Sequence, residues 1–145
     1  NIPAVQFSAR VMDINQFLAG ITWPSNTGFR PLAKRIAVHD PCTLTNVLRQ
    51  EDKPYALLSR IPGAEIIALP GNSVCCGAAG TYHLTQSQIA RQLRAPKIEY
   101  LKQLAPDILV TANPGCARFL AAGIREAKLA IEVMHPVVLL EKQLS

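Results

Sequence analysis

The sequence contains no uninterrupted apolar run approaching the roughly 20 residues that a membrane-spanning helix requires. Its N-terminus also lacks the basic-then-apolar pattern of a secretory signal. Charged residues are scarce, at 17% against an average of about a quarter. With 49% apolar residues this excludes disorder as the main state and points to a surface partly covered by another domain or subunit. Aromatics make up only 6% and are not interleaved with Lys or Arg, so a stacking platform for single-stranded nucleic acid is excluded. The net charge of +5 is spread too thinly to form a basic stripe. There is no G-x-G-x-x-G fingerprint for a nucleotide, no C-x-x-C pair and no zinc-finger spacing.

What is present is enough for a real core in 145 residues, not a mini-protein stapled by disulfides. The first residue is Asn1 rather than Met, so the chain is expected to be a segment of a longer protein. Residues 1–34 read as an N-terminal helix and connector, and 35–145 as the main domain. Phe7, Val11, Ile14 and Phe17/Leu18 recur at helical spacing and predict one amphipathic helix over 1–20, ending at Gly20. Residues 21–34 hold two Pro with Gly, Ser and Asn and read as irregular.

From Arg35 onward, short apolar runs alternate with helical patterns. Strands are predicted at 35–39, 65–69, 107–112 and 129–134. Helices are predicted at 54–61, from Thr85 to about Leu104, at 116–124 and at 137–144. Thr85 with Gln88 reads as a capping box, Pro96 as a kink or division, and Ile89, Leu93, Tyr100, Leu101 and Leu104 as one apolar side. The alternation predicts an α/β layered domain with a largely parallel four-stranded sheet flanked by helices. A faint repeat is visible in it: IAVHD leads into Pro-Cys and ILVTAN into Pro-Gly-Cys, each followed by a helix and a strand. The repeat puts Cys42 and Cys116 just beyond the carboxyl ends of strands, where open α/β sheets gather ligands.

All four cysteines, Cys42, Cys75, Cys76 and Cys116, fall in predicted loops. Buried free thiols would be expected on apolar faces of regular elements, and disulfides in a chain marked for secretion. A thiolate metal site is the reading that the spacing favours over those two. Four sulfurs supply a tetrahedral set for zinc, or one ligand to each iron of a cubane cluster. Gly77, Gly80 and Gly115 let the backbone approach such a site, and helix starts after Cys42 and Cys116 would aim positive dipole ends at it. His39 and His83 stand near as donors to sulfur or extra ligands, against a default of simple hydrogen bonding. Asp40 reads as a turn cap, His135 as a strand terminator, and Arg118 and Arg125 as a solvated face. No base with an orienting carboxylate accompanies any one cysteine, so a thiol hydrolase is a poor fit.

His39-Asp-Pro-Cys42, Cys75-Cys76-Gly77-Ala-Ala-Gly80, Asn113-Pro-Gly-Cys116 and His135-Pro-Val-Val-Leu-Leu140 together resemble the cysteine-rich CCG domain. That domain occurs in heterodisulfide reductase, in lactate-utilisation iron–sulfur proteins and, in its most similar form, at the C-terminus of the glycolate oxidase iron–sulfur subunit. The resemblance runs from about Arg35 to Leu144. It implies electron transfer: a flavoprotein subunit with its FAD oxidises glycolate to glyoxylate, and the iron–sulfur subunit passes electrons towards a membrane quinone. It further implies a cytoplasmic protein, peripheral on the inner membrane as part of that complex. This segment would relay electrons as part of the oxidoreductase without being catalytic itself, with Cys42, Cys75, Cys76 and Cys116 as metal ligands. Heterodisulfide reductase domains use a fifth cysteine for a noncubane cluster. Asn113 stands in its place here, which leaves a 4Fe-4S cluster as the preferred occupant and zinc as the alternative, with a structural or subunit-interaction role.

Overall fold

The structure is a computed structural model and describes residues 2–145. The apolar runs become four strands: β1 (Arg35–His39), β2 (Glu65–Ala68), β3 (Ile108–Thr111) and β4 (Glu132–Met134). They form one sheet in the order β2-β1-β3-β4 with every pairing parallel. The predicted four-stranded parallel α/β architecture is therefore what the chain adopts. Central β1 and β3 are buried on both faces, which is why they read as continuous apolar runs without alternation.

Successive side chains of a strand point to opposite faces, and this divides the core in two. Ile36, Val38, Ile108 and Val110 pack with Leu57 and Leu58 of α3 (Asp52–Leu58) and with Leu139 and Leu140 of α7 (Pro136–Gln143). On the other face, Ala37 and Leu109 pack with α5 (Ser87–Leu104) and α6 (Pro114–Glu126) through Ala90, Ile98, Leu101, Phe119 and Leu120. The chain thus leaves β1 towards one face and β3 towards the other. The carboxyl ends of these neighbours form the switch point where a crevice opens in such sheets.

The N-terminus differs from the single helix predicted over 1–20. Two helices form instead, α1 (Ile2–Ser8) and α2 (Ile14–Gly20), and Asn1 lies outside the described residues. The side chain of Asp13 accepts from the Asn15 N–H at 2.8 Å and restarts the helix, a capping role the apolar spacing hides. No residue of α1 is buried, and Phe7, Val11 and Phe17 are exposed, so the expected apolar face packs only through Leu18 and Ala19. The connector is irregular yet part of the core. Its Trp23, Phe29 and Leu32 pack against the α3–α7 side, and the Trp23 Nε1–H donates to Leu18 O at 2.9 Å.

The capping box at Thr85 does not form. Thr85 closes a separate turn, α4 (Tyr82–Thr85), and its hydroxyl donates back to Tyr82 O at 3.3 Å. Helix α5 begins at Ser87 and runs undivided through Pro96. Its buried face comprises Ala90, Arg94, Lys97, Ile98 and Leu101, while Ile89 is 47% exposed. Two buried cations thus stand on the face that apolar periodicity places elsewhere. No helix among the described residues is long and apolar enough to cross a membrane.

Candidate metal centre

The two central strands end side by side, with His39 of β1 in register with Thr111 of β3. Beyond β1, Pro41 directs the chain into a turn carrying Cys42 and then a π-helical turn over Leu44–Leu48. Beyond β3, Asn113 caps α6: its side-chain oxygen accepts from the Cys116 N–H at 3.1 Å. Cys116 therefore sits in the first turn of α6, which begins two residues before the predicted helix start at 116. The loop after β2 brings in Cys75 and Cys76 and then reverses sharply, with Gly77 at φ 93°, Ala79 at 37° and Gly80 at 61°. A Cβ on Gly77 would overlap Ala90 O of α5, so only glycine lets this loop seat against the helix. Gly80 faces open space, and a Cβ on Gly115 would lie 3.1 Å from the Asn113 side-chain oxygen.

These elements bring together the ligand atoms of His39, Cys76 and Cys116, all within 4.8 Å of one another and all three residues buried. Cys42 is exposed and Cys75 half-buried, and both add to the electrostatics of the buried Cys116. No cysteine among the described residues is in a disulfide. The Cys116 thiol pulls the Cys76 thiol well below its ordinary range, aided by the His39 ring and the Ala78 N–H and opposed by burial. The same interaction, together with burial, pushes the Cys116 thiol up, so the two sulfurs titrate as a pair. Burial pushes the Cys75 thiol up, opposed by the Gly77 N–H, which donates to its sulfur at 3.4 Å.

His39 belongs to the site, although the sequence alone gives it a default of ordinary hydrogen bonding. Its Nδ1 lies 2.9 Å from Thr111 Oγ1, which leaves the Nε2 edge for Cys76. The signal in the sequence is its place as the last residue of an apolar strand, three before Cys42. His83 is not part of the trio; its Nδ1 meets Ala78 O at 3.0 Å and its ring packs on Phe119. Asp40 does not cap its own turn. Its Oδ2 accepts from the Tyr55 hydroxyl at 3.0 Å and from Asn72 Nδ2 at 2.7 Å, tying α3 to the loop that carries the cysteines. His135 does more than end a strand: its Nδ1 accepts from the Val137 N–H at 3.2 Å and caps α7. Arg118 and Arg125 lie on the outer side of α6, both exposed.

The donor chemistry fits a soft or borderline metal. Thiolates and a neutral imidazole suit zinc and iron–sulfur centres, whereas calcium and magnesium need oxygen ligands. Burial of the inner donors and the N–H groups directed at sulfur are what such centres require around their ligands.

Comparison with known proteins agrees with this chemistry. The family model for the cysteine-rich domain CCG matches residues 36–121. Lactate utilization protein A of Geobacillus thermodenitrificans is 30% identical over 132 residues, covering 91% of this chain and 55% of that protein. The glycolate oxidase iron–sulfur subunit of Escherichia coli K12 is 39% identical over 111 residues, covering 76% of this chain and 26% of the subunit. The chain thus spans about half the length of the first of these relatives and about a quarter of the second. Because the family match takes in more than half of the residues and all four cysteines, the chain belongs to the cysteine-rich CCG domain family.

Proposed function

We propose that this chain is the metal-holding module of an iron–sulfur subunit in a complex that oxidises a 2-hydroxy acid, glycolate or lactate. The observation that carries the reading is the convergence of His39, Cys76 and Cys116, from three remote stretches of chain, on one buried point. The relatives support it by their names, an iron–sulfur subunit of glycolate oxidase and a lactate utilization protein. The preferred occupant is a 4Fe-4S cluster held by Cys42, Cys75, Cys76 and Cys116, with His39 as a neighbour or alternative donor. When bound, such a cluster takes up and gives back single electrons at a potential set by hydrogen bonds, charge and exposure.

The residues of this chain fix the site and its surroundings. Thr111 orients the His39 ring, Asn113 holds the first turn that presents Cys116, and the Gly77 N–H stabilises charge on Cys75. Cys42 and Cys75, nearer the surface, form the side from which an electron enters or leaves. A flavoprotein subunit carrying FAD as donor, a quinone as final acceptor and a cytoplasmic position at the inner membrane belong to the same proposal. This segment itself performs no substrate chemistry.

A second reading rests on a distance. Zinc bonds of about 2.3 Å to sulfur and about 2.0–2.1 Å to nitrogen bring tetrahedral ligand atoms to within about 4 Å of one another. The trio within 4.8 Å is near that, and Cys42 or Cys75 would complete a closed structural zinc site. Iron, acid-labile sulfide and zinc are to be measured on protein purified without oxygen. Iron and sulfide in equal amounts, with visible absorption bleached by dithionite, support the electron relay. Stoichiometric zinc without iron overturns it in favour of the structural centre.

A further inference from the structure

Helix α5 buries two cations, and they are compensated differently. Arg94 donates to Phe119 O at 3.0 Å, stacks over the Phe119 ring and pairs with Glu126. Lys97, one turn later, is 2% exposed and has no carboxylate within ion-pair distance among the described residues. Its Nζ donates to Gly71 O at 2.5 Å, the carbonyl that also accepts the Val74 N–H, at the root of the loop that carries Cys75 and Cys76. An ammonium has three donors and tolerates burial only beside negative charge. Burial pulls the charge of Lys97 down, while Cys76, Cys75, Asp40 and Cys116 sustain it. Three of those four groups are the thiols of the candidate centre.

We propose that Lys97 is the built-in counter-charge of the sulfur centre, a buried cation whose negative partner is the set of thiolates and the anionic metal complex they form. It is a positioning and charge-balancing residue, not a ligand. This rests on the reading of the thiols as metal ligands. Binding a divalent metal to four thiolates creates a net negative complex, so the fixed positive charge strengthens that complex and favours its more reduced state.

Two substitutions separate charge from tethering. Lys97→Gln keeps a hydrogen-bond donor for Gly71 O and loses the charge; Lys97→Met loses both at similar length. The probe is Co2+ added to reduced, metal-free protein, with affinity read by competition against a chelator and sulfur ligation by its visible absorption. Both variants are expected to bind Co2+ on the order of tenfold more weakly than wild type, with Lys97→Gln no better than Lys97→Met. Metal-free Lys97→Met is expected to fold, because a buried lysine without a carboxylate partner can be replaced by an apolar side chain of similar length without loss of the fold. Wild-type affinity in Lys97→Gln overturns the counter-charge role, as does a metal-free Lys97→Met protein that fails to fold. A wild-type protein that takes up no Co2+ overturns the metal reading, and the counter-charge with it.

Discussion

Thr111 Oγ1 lies 2.9 Å from His39 Nδ1, joining the last residues of the two central strands at the floor of the sulfur cluster. Both side chains are buried, so the bond fixes the ring where water cannot substitute. Thr111→Val removes the hydroxyl at nearly constant volume. It should cost about 1–2 kcal/mol in chemical denaturation. Metal affinity should fall by about ten- to a hundredfold, the usual effect of losing such an orienting partner. Unchanged affinity would mean that His39 plays no part in the centre.

Asn113 occupies the helix cap that presents Cys116. Asn113→Ala should lower stability by about 1 kcal/mol, a few degrees in melting temperature, whereas Asn113→Asp should hold the cap and lose much less. Equal melting of the two variants would show that the cap contributes nothing.

Two glycines of the CCGAAG loop give a paired comparison. Gly77→Ala must displace the α5 backbone, since the new Cβ would run into Ala90 O, and it keeps a left-handed φ of 93°. Gly80→Ala meets nothing within 4 Å and bears only its φ of 61°. The first should cost at least about 3 kcal/mol and the second about 1–2 kcal/mol in urea unfolding. A reversed order would contradict the packing of the loop on α5.

His135 caps α7 through an unprotonated Nδ1, and burial holds its pKa below the ordinary value of 6.5, partly offset by Asp13 and by its hydrogen bond to Ala112. The folded state thus favours the neutral ring. Above pH 6.5 neither state is charged and the contribution is complete; as pH falls below 6.5 the unfolded chain takes up the proton first, and stability declines until the folded pKa is reached. His135→Asn, a non-titrating cap, should flatten the stability profile in that acidic window. A profile parallel to wild type would remove His135 as its source.

The sheet is legible because its strands are apolar runs closed by Pro or Gly: IAVHD-Pro41, EIIAL-Pro70 and ILVTAN-Pro114. The placing of Cys42 and Cys116 at neighbouring strand ends follows from that alternation. The break at Asp13 is hidden because apolar spacing carries on across it while a cap hydrogen bond decides the boundary. The buried face of α5 cannot be read from apolar periodicity because Arg94 and Lys97 look like solvent-facing charges. Only tertiary partners, Glu126 with Phe119 in one case and Gly71 with the thiols in the other, make their burial tolerable. His39 is obscure for a similar reason: a lone imidazole at the end of a strand gains meaning from what other strands and loops bring to it.

The three inner donors are each separated by about forty residues of chain. An unfolded polypeptide offers them only singly, at high entropic cost of closure. A metal held at the candidate centre would therefore bind the native state in preference to the denatured one, and its free concentration would enter the folding equilibrium directly. Chelation should act on this protein as a denaturant does, and metal supply should govern its lifetime.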